Sequence, residues 1–211
     1  MTTATGSSPA SSTTICAITP RHWGCCKVTR APKLKTARAV IRLAESVDAP
    51  KLLRFRMDNR EHLAPWEPLR ETAYYTLEHC ARTIVDGHEA AHLDRGYPFM
   101  VFSPHEQDIL ASFTLANVVR GPFQACLLGY GVHADQQGRG LMREALLAGL
   151  AWAFDELGLH RVMANYMPRN ERSARLLERL GFEREGYARQ YLQIAGQWED
   201  HILTAKIRRD G

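Results

Sequence analysis

No run of about 18 or more apolar residues occurs in the 211-residue chain, so no helix is expected to span a membrane. Cysteine is scarce and unpatterned. The five residues Cys16, Cys25, Cys26, Cys80 and Cys126 are odd in number, and no C-x-x-C pair occurs. That excludes a disulfide framework and points to a reducing, cytoplasmic setting. Cys16, His22, Cys25 and Cys26 could gather a metal, but their spacing fits no zinc pattern, and no metal is expected. Cys126 lies in an apolar stretch and reads as a small core residue rather than a nucleophile. Acidic residues are missing from positions 1–36, which carry Arg21, Lys27, Arg30, Lys33 and Lys35, a charge of +5. The remaining 22 Lys and Arg against 23 Asp and Glu leave −1 for residues 37–211. Such a balance excludes a compositional case for duplex DNA as a direct partner. Internal repeats are absent as well.

The first 36 residues differ from the rest. Nine of the first 14 are Ser or Thr, and Gly6, Pro9, Pro20, Gly24 and Pro32 interrupt any helix. A segment like this buries too little apolar surface to offset its ordering entropy. It reads as a disordered basic tail or an over-extended translation start, with a transit peptide as the functional competitor. Residues 37–211 are one domain, with 45% hydrophobic residues over the whole chain to build a core.

The body alternates strand and helix patterns. Ala37–Leu43 reads as a strand, and Asp48 can cap a helix that has Pro50 in its first turn and runs to about Asn59. A loop stiffened by Pro65 and Pro68 precedes a second helix, about Glu71 to Ala90. Pro98–Ser103 and Ile109–Leu115 form a hairpin, and Gln124–His133 is the next strand. A helix follows from about Gly140 to Leu157, with Leu146, Leu147, Leu150, Phe154 and Leu157 on one stripe and Gly158 as its stop. Arg161–Met167 is a buried-type strand, and Asn170 caps a short helix stopped by Gly181. Glu183–Ile194 and Gln197–Ile207 are two final strands joined at Ala195-Gly196.

The most informative stretch is Gly129-Tyr-Gly-Val-His-Ala-Asp-Gln-Gln-Gly-Arg-Gly-Leu-Met142, where a strand ends in a glycine-dense turn and a helix begins at once. Gly138 and Gly140 allow the backbone to approach a ligand closely. Free N–H groups of the turn and the first helical turn make an anion site, and a phosphorylated ligand is its natural occupant.

This element order and the segment Asp135-Gln-Gln-Gly-Arg-Gly140 resemble the GNAT N-acetyltransferases, whose cofactor motif reads Gln/Arg-x-x-Gly-x-Gly/Ala. Asp135 departs from the motif's first position. The segments Asn59–Pro68, Ala116–Gly121, Ala164–Asn170 and Gly196–His201 resemble, in order, the RimJ-type ribosomal-protein-alanine acetyltransferases of that superfamily. The resemblance covers about residues 37–208. It implies a mixed α/β fold with a twisted, mostly antiparallel central sheet, flanking helices, and fourth and fifth strands that splay apart. It also implies acetyl-CoA as co-substrate and the N-terminal alanine of a ribosomal protein, of the small subunit in its kin, as acceptor. Ribosomal particles are a further implied partner. Acetyl transfer to a small-molecule amine and a non-catalytic CoA-binding assembly factor are the alternatives, since fold alone does not fix function.

The resemblance also assigns residues. Backbone groups of Tyr130, Gly131 and Val132 would meet the pantetheine amides, and Gln137, Gly138, Arg139, Gly140, Leu141 and Met142 would hold the diphosphate. Asn170 would bind the pantetheine, or serve only as a helix cap. Many members carry a tyrosine seven residues after that asparagine as acid, but here the position is Leu177. Ser173 is the candidate donor to the departing thiolate, or an ordinary residue of the helix's first turn. Leu192 stands where a related branch has its glutamate base, so Glu67 in the Pro-Trp-Glu-Pro loop is the substitute, with fixing of that loop as its bland role. Trp66 would wall the acceptor site or anchor the loop.

Overall fold

The computed structural model describes Met1 and residues 31–208; the readings of tail residues 2–30 and of their Cys and His residues fall outside these, whereas residues 31–36, read with the tail, belong to the fold. An eight-stranded sheet organises them, in spatial order β1-β2-β3-β4-β5-β6-β8-β7. In chain order β1 is Leu34–Lys35, β2 Val40–Leu43, β3 Gly96–Phe102 and β4 Ile109–Val119. They are followed by β5 at Ala125–Val132, β6 at Arg161–Met163, β7 at Glu183–Ile194 and β8 at Gln197–Ile207. Every pairing is antiparallel except β5 with β6. Leu34 and Lys35 add an edge strand ahead of Ala37, so the fourth and fifth strands expected from sequence are β5 and β6.

Both faces of the sheet are covered, which explains why β3 is apolar at nearly every position. One face carries α4, Leu141–Asp155. Trp152 meets Tyr97 and Phe99 there edge to face, with Phe99 stacked on Phe113. Gly149 permits the approach, because a Cβ there would stand 2.6 Å from the Phe113 ring. The other face carries α1, Ala49–Asp58, and α3, Leu77–His92, over Val40, Phe102 and Ile109. Asp48 directly precedes α1 but does not cap it as expected from sequence: its carboxylate bonds none of the helix amides. Burial alone would raise its carboxyl pKa, but hydrogen bonds from Arg42, Lys51 and the Glu45 N–H outweigh that and hold it at about 2.

Four further expectations from sequence need correction. Leu147 leaves the apolar stripe and is 40% exposed, whereas Ala145, Gly149 and Ala153 are buried and let α4 lie close on the sheet. The single helix expected over 71–90 is broken. Thr72–Tyr75 forms a 3-10 turn, Thr76 is extended and caps with its hydroxyl, and α3 starts at Leu77. The segment expected as a loop contains a helical turn, α2 (Arg60–Leu63), and a 3-10 turn at Ala64–Trp66. The strand expected over 161–167 pairs with β5 only to Met163. Beyond it the Ala164 N–H bonds to the Thr204 carbonyl and Tyr166 pairs with Ile202, so the chain follows β8 and leaves β5. The fifth helix, α5, is Glu171–Arg179.

Candidate functional site

A wedge opens where β5 and β6 part. Their pairing is limited to Ala125 with Arg161, Cys126 with Val162 and Leu127 with Met163. β5 continues through Leu128–Val132 with β4 on one side and, among the described residues, no strand on the other. An edge of backbone donors and acceptors therefore faces the gap, ready to bond an extended amide-bearing chain as an added strand would.

The glycine turn closes the wide end of the wedge. His133 leads into a 3-10 turn at Ala134–Gln136, and its Nδ1 accepts from the Asp135 N–H. Gly138 has φ +70° and Gly140 φ +75°, both in the left-handed region that carries a Cβ penalty. Gly140 is the N-cap of α4, and among the described residues no side chain caps that helix. Its first N–H groups are thus open to an anion, as are the neighbouring turn amides. The Asp135 carboxylate is 82% exposed and stays outside this cradle, so the departure from the motif leaves the backbone geometry intact.

Long-range contacts set the turn in place. Arg38 donates to the Arg139 carbonyl at 2.7 Å and to Glu144 in the first turn of α4 at 2.7 Å. Asn59, fully buried between α1 and α2, accepts from the Ala134 N–H at 2.8 Å and donates to the Phe55 carbonyl at 2.7 Å. The Gln137 amide bonds His62 at 2.8 Å on one side and accepts from Arg172 on the other. Leu63 lies over Gly131, where a Cβ would meet it at 3.7 Å. These contacts tie the α1–α2 corner to the glycine turn, and none has a local sequence signature. Asn59 and His62 do stand in one of the segments that carried the resemblance, so that segment was the available clue.

The narrow side is lined by α5. The Asn170 side chain accepts from the Ser173 N–H at 3.1 Å, an N-cap, while Ser173 Oγ lies 2.5 Å from the Tyr130 hydroxyl across the wedge. Burial pushes the Tyr130 phenol up to about 12, against the opposing hydrogen bond to Ser173. Leu177 is core, at 1% exposure, and offers no hydroxyl. Cys126 is fully buried and its thiol is pushed up to about 12, which suits packing and not nucleophilic attack.

Glu67 and Trp66 sit on the loop that docks against the β7–β8 hairpin and Arg169. The Glu67 carbonyl accepts from the Ala195 N–H at 2.9 Å, docking the loop on the β7–β8 turn, and its carboxylate takes the Arg70 Nε at 3.2 Å. Trp66 lies under the Arg169 guanidinium, 5.2 Å from the ring centre, and Arg169 bonds Glu199 of β8 at 2.6 Å. Leu192 is 46% exposed on β7. A separate cavity of about 820 Å³ is lined by residues of β2, α3 and the 31–33 segment. None of its lining residues belongs to the wedge, and its Arg42 and Lys33 are already paired with Glu106. Geometry favours the wedge over this cavity as the site.

Comparison with known proteins agrees with the wedge and its turn. The model of the acetyltransferase (GNAT) domain matches residues 38–183. The [ribosomal protein uS5]-alanine N-acetyltransferase of Escherichia coli is 44% identical over 178 residues, covering 84% of this chain and 92% of that protein. The crystal structure of ribosomal-protein-S5-alanine acetyltransferase from Vibrio fischeri superposes with a TM-score of 0.81 at 40% identity, covering 85% of this chain and 98% of that one. Mycobacterium smegmatis RimJ in complex with CoA-disulfide gives a TM-score of 0.76 at 28% identity, covering 80% and 81%. A splayed strand pair, an uncapped helix behind two left-handed glycines and a domain match over most of the chain have one explanation: this chain belongs to the GNAT acetyltransferase family.

Proposed function

We propose that this chain transfers the acetyl group of acetyl-CoA to the N-terminal alanine amine of a ribosomal protein, of the small subunit as in the named relatives. The observation that carries the reading is the turn from Gly138 to Met142, which follows the unpaired end of β5 and starts a helix that its N-cap residue leaves without a side-chain cap. A diphosphate fits that cradle, and the free β5 edge suits the amides of a pantetheine arm. Gln137, Gly138, Arg139, Gly140, Leu141 and Met142 hold the diphosphate, Tyr130, Gly131 and Val132 present backbone groups to the arm, and Asn170 borders it.

The acceptor amine attacks the thioester carbonyl. A chain-terminal amine has a pKa of about 7.7–8, so a useful fraction is neutral near neutral pH and a strong base is unnecessary. Glu67, acting through water, takes the amine proton, and Trp66 walls the acceptor side. Backbone N–H groups near Val132 stabilise the oxyanion. Ser173 donates to the departing sulfur. A ribosomal protein acceptor places the reaction in the cytoplasm, on the free protein or on the ribosomal particle.

The test is incubation of purified protein with acetyl-CoA and peptides that begin with Ala, Ser, Met or blocked Ala, read by mass spectrometry. Transfer to free Ala and none to blocked Ala is expected. Acetylation of an internal lysine, or of a small amine in preference to every peptide, would overturn the assignment.

A further inference from the structure

We propose that the Tyr130 side chain is a positioning residue, whose hydroxyl donates to Ser173 Oγ and so leaves the serine proton aimed at the departing sulfur. This rests on the reading of Ser173 as the thiolate's donor. The argument starts from the freedom of a serine hydroxyl. It carries one proton, and unless a donor occupies its lone pairs the O–H rotates to whatever acceptor is nearest. In the first turn of a helix those competitors are backbone carbonyls. Ser173 is held at two points instead. Its N–H is fixed by the Asn170 cap at 3.1 Å, and its Oγ is fixed by Tyr130 at 2.5 Å, from a strand on the other side of the wedge.

Chemistry sets the direction of that bond. The phenol is the better donor of the two hydroxyls, and in this buried place it stays protonated, with its pKa pushed up to about 12. With Tyr130 donating, the Ser173 proton must point elsewhere, and the wedge is where it opens. Neither hydroxyl gives up its proton in net, because a thiol near pKa 8.5 is a far stronger acid than a phenol or a serine. Tyr130 therefore orients, and Ser173 donates a hydrogen bond that stabilises the charge on the departing sulfur. The balance is simple: the new C–N bond forms, the C–S bond breaks with its electron pair on sulfur, the amine proton leaves through water, and the sulfur takes its proton from solvent.

Tyr130→Phe keeps the ring and deletes only the hydroxyl. Turnover of an Ala-initiated peptide should fall about tenfold in kcat, the scale of one lost orienting hydrogen bond, with acetyl-CoA affinity within about twofold of wild type. Ser173→Ala should lose more. The double variant Y130F/S173A should be no slower than S173A alone, because the tyrosine acts only through the serine. In a Ser173→Thr background, which keeps a hydroxyl, the cost of Y130F should return. Unchanged kcat in Y130F, or losses that multiply in the double variant, would overturn the proposal while leaving Ser173 in place. Full turnover by S173A would instead overturn the serine's role, and this one with it. A purely structural tyrosine would lower the melting temperature of Y130F equally in all three backgrounds, without the kinetic coupling.

Discussion

The glycine turn, proposed above as the cofactor site, and the Trp66–Glu67 loop, proposed as the acceptor side, are built from different materials. From Ala134 to Met142 the groups on offer are main-chain amides, and side chains serve mainly to hold the backbone still, as Arg38 does at Arg139 and Asn59 at Ala134. On the acceptor side the candidate groups are side chains: Trp66 beneath Arg169, Glu67 beside Arg70, and residues of the exposed β7–β8 hairpin. Main-chain recognition of a diphosphate demands left-handed backbone, and that demand is written as glycine. Side-chain recognition of a peptide demands only proximity, which any residue type can supply. The first region is expected to govern affinity for acetyl-CoA, and the second to govern what happens to the peptide.

The largest effect expected from breaking this division is at Asn59. Its amide is fully buried, and both its polar atoms are used. Asn59→Leu removes the anchor of the turn and should cost ~2 kcal/mol of stability, the scale of a buried group left unpaired. Calorimetric titration should show acetyl-CoA binding weakened by about tenfold or more, although Asn59 lies outside the glycine motif. Unchanged affinity would mean that the turn holds its shape without the α1–α2 corner.

A matched glycine pair sharpens the point at lower cost. Gly140 and Gly158 have φ of +75° and +70°, and a Cβ meets nothing closer than 3.7 Å at the first and nothing within 4 Å at the second. Alanine at either pays the same left-handed penalty, about 1 kcal/mol. Melting temperatures of Gly140→Ala and Gly158→Ala should therefore drop alike. Only Gly140→Ala should lose acetyl-CoA affinity, by roughly fivefold if the strain is relieved by moving the amides away from the ligand. Equal affinities would sever the link between left-handed backbone and cofactor.

This contrast also explains what could be read without a structure. The helix behind the glycine turn and the Asn170 cap follow from local periodicity and capping chemistry, and the observed β7 and β8 match the strands read from sequence. The sheet's mostly antiparallel order and the splay were implied by resemblance alone. Periodicity extends the fifth strand to Met167, because Ala164–Met167 are as apolar as the paired part, and only the pull of Thr204 and Ile202 on β8 turns the chain away. Arg38, His62, Arg172 and the Tyr130–Ser173 bond escaped for a different reason. Their partners lie 35 or more residues away, and a pattern read along the chain carries no information about what crosses it.

The smallest expected effect is at Glu67. Its backbone carbonyl holds the Ala195 N–H whatever the side chain, and a glutamine there still offers an oxygen to Arg70. Glu67→Gln therefore keeps the loop docked and removes only charge. If the carboxylate takes the amine proton through water, kcat on an Ala-initiated peptide should fall, but by only about threefold, since the terminal amine is already partly neutral. Melting temperature and acetyl-CoA affinity should stay at wild-type values. A loss of cofactor affinity in E67Q would break the division between the two regions, and an unchanged kcat would return Glu67 to a loop-fixing role. The comparison is clean because the neutral variant preserves every contact Glu67 makes here except the ionic part of one exposed pair, which is worth little.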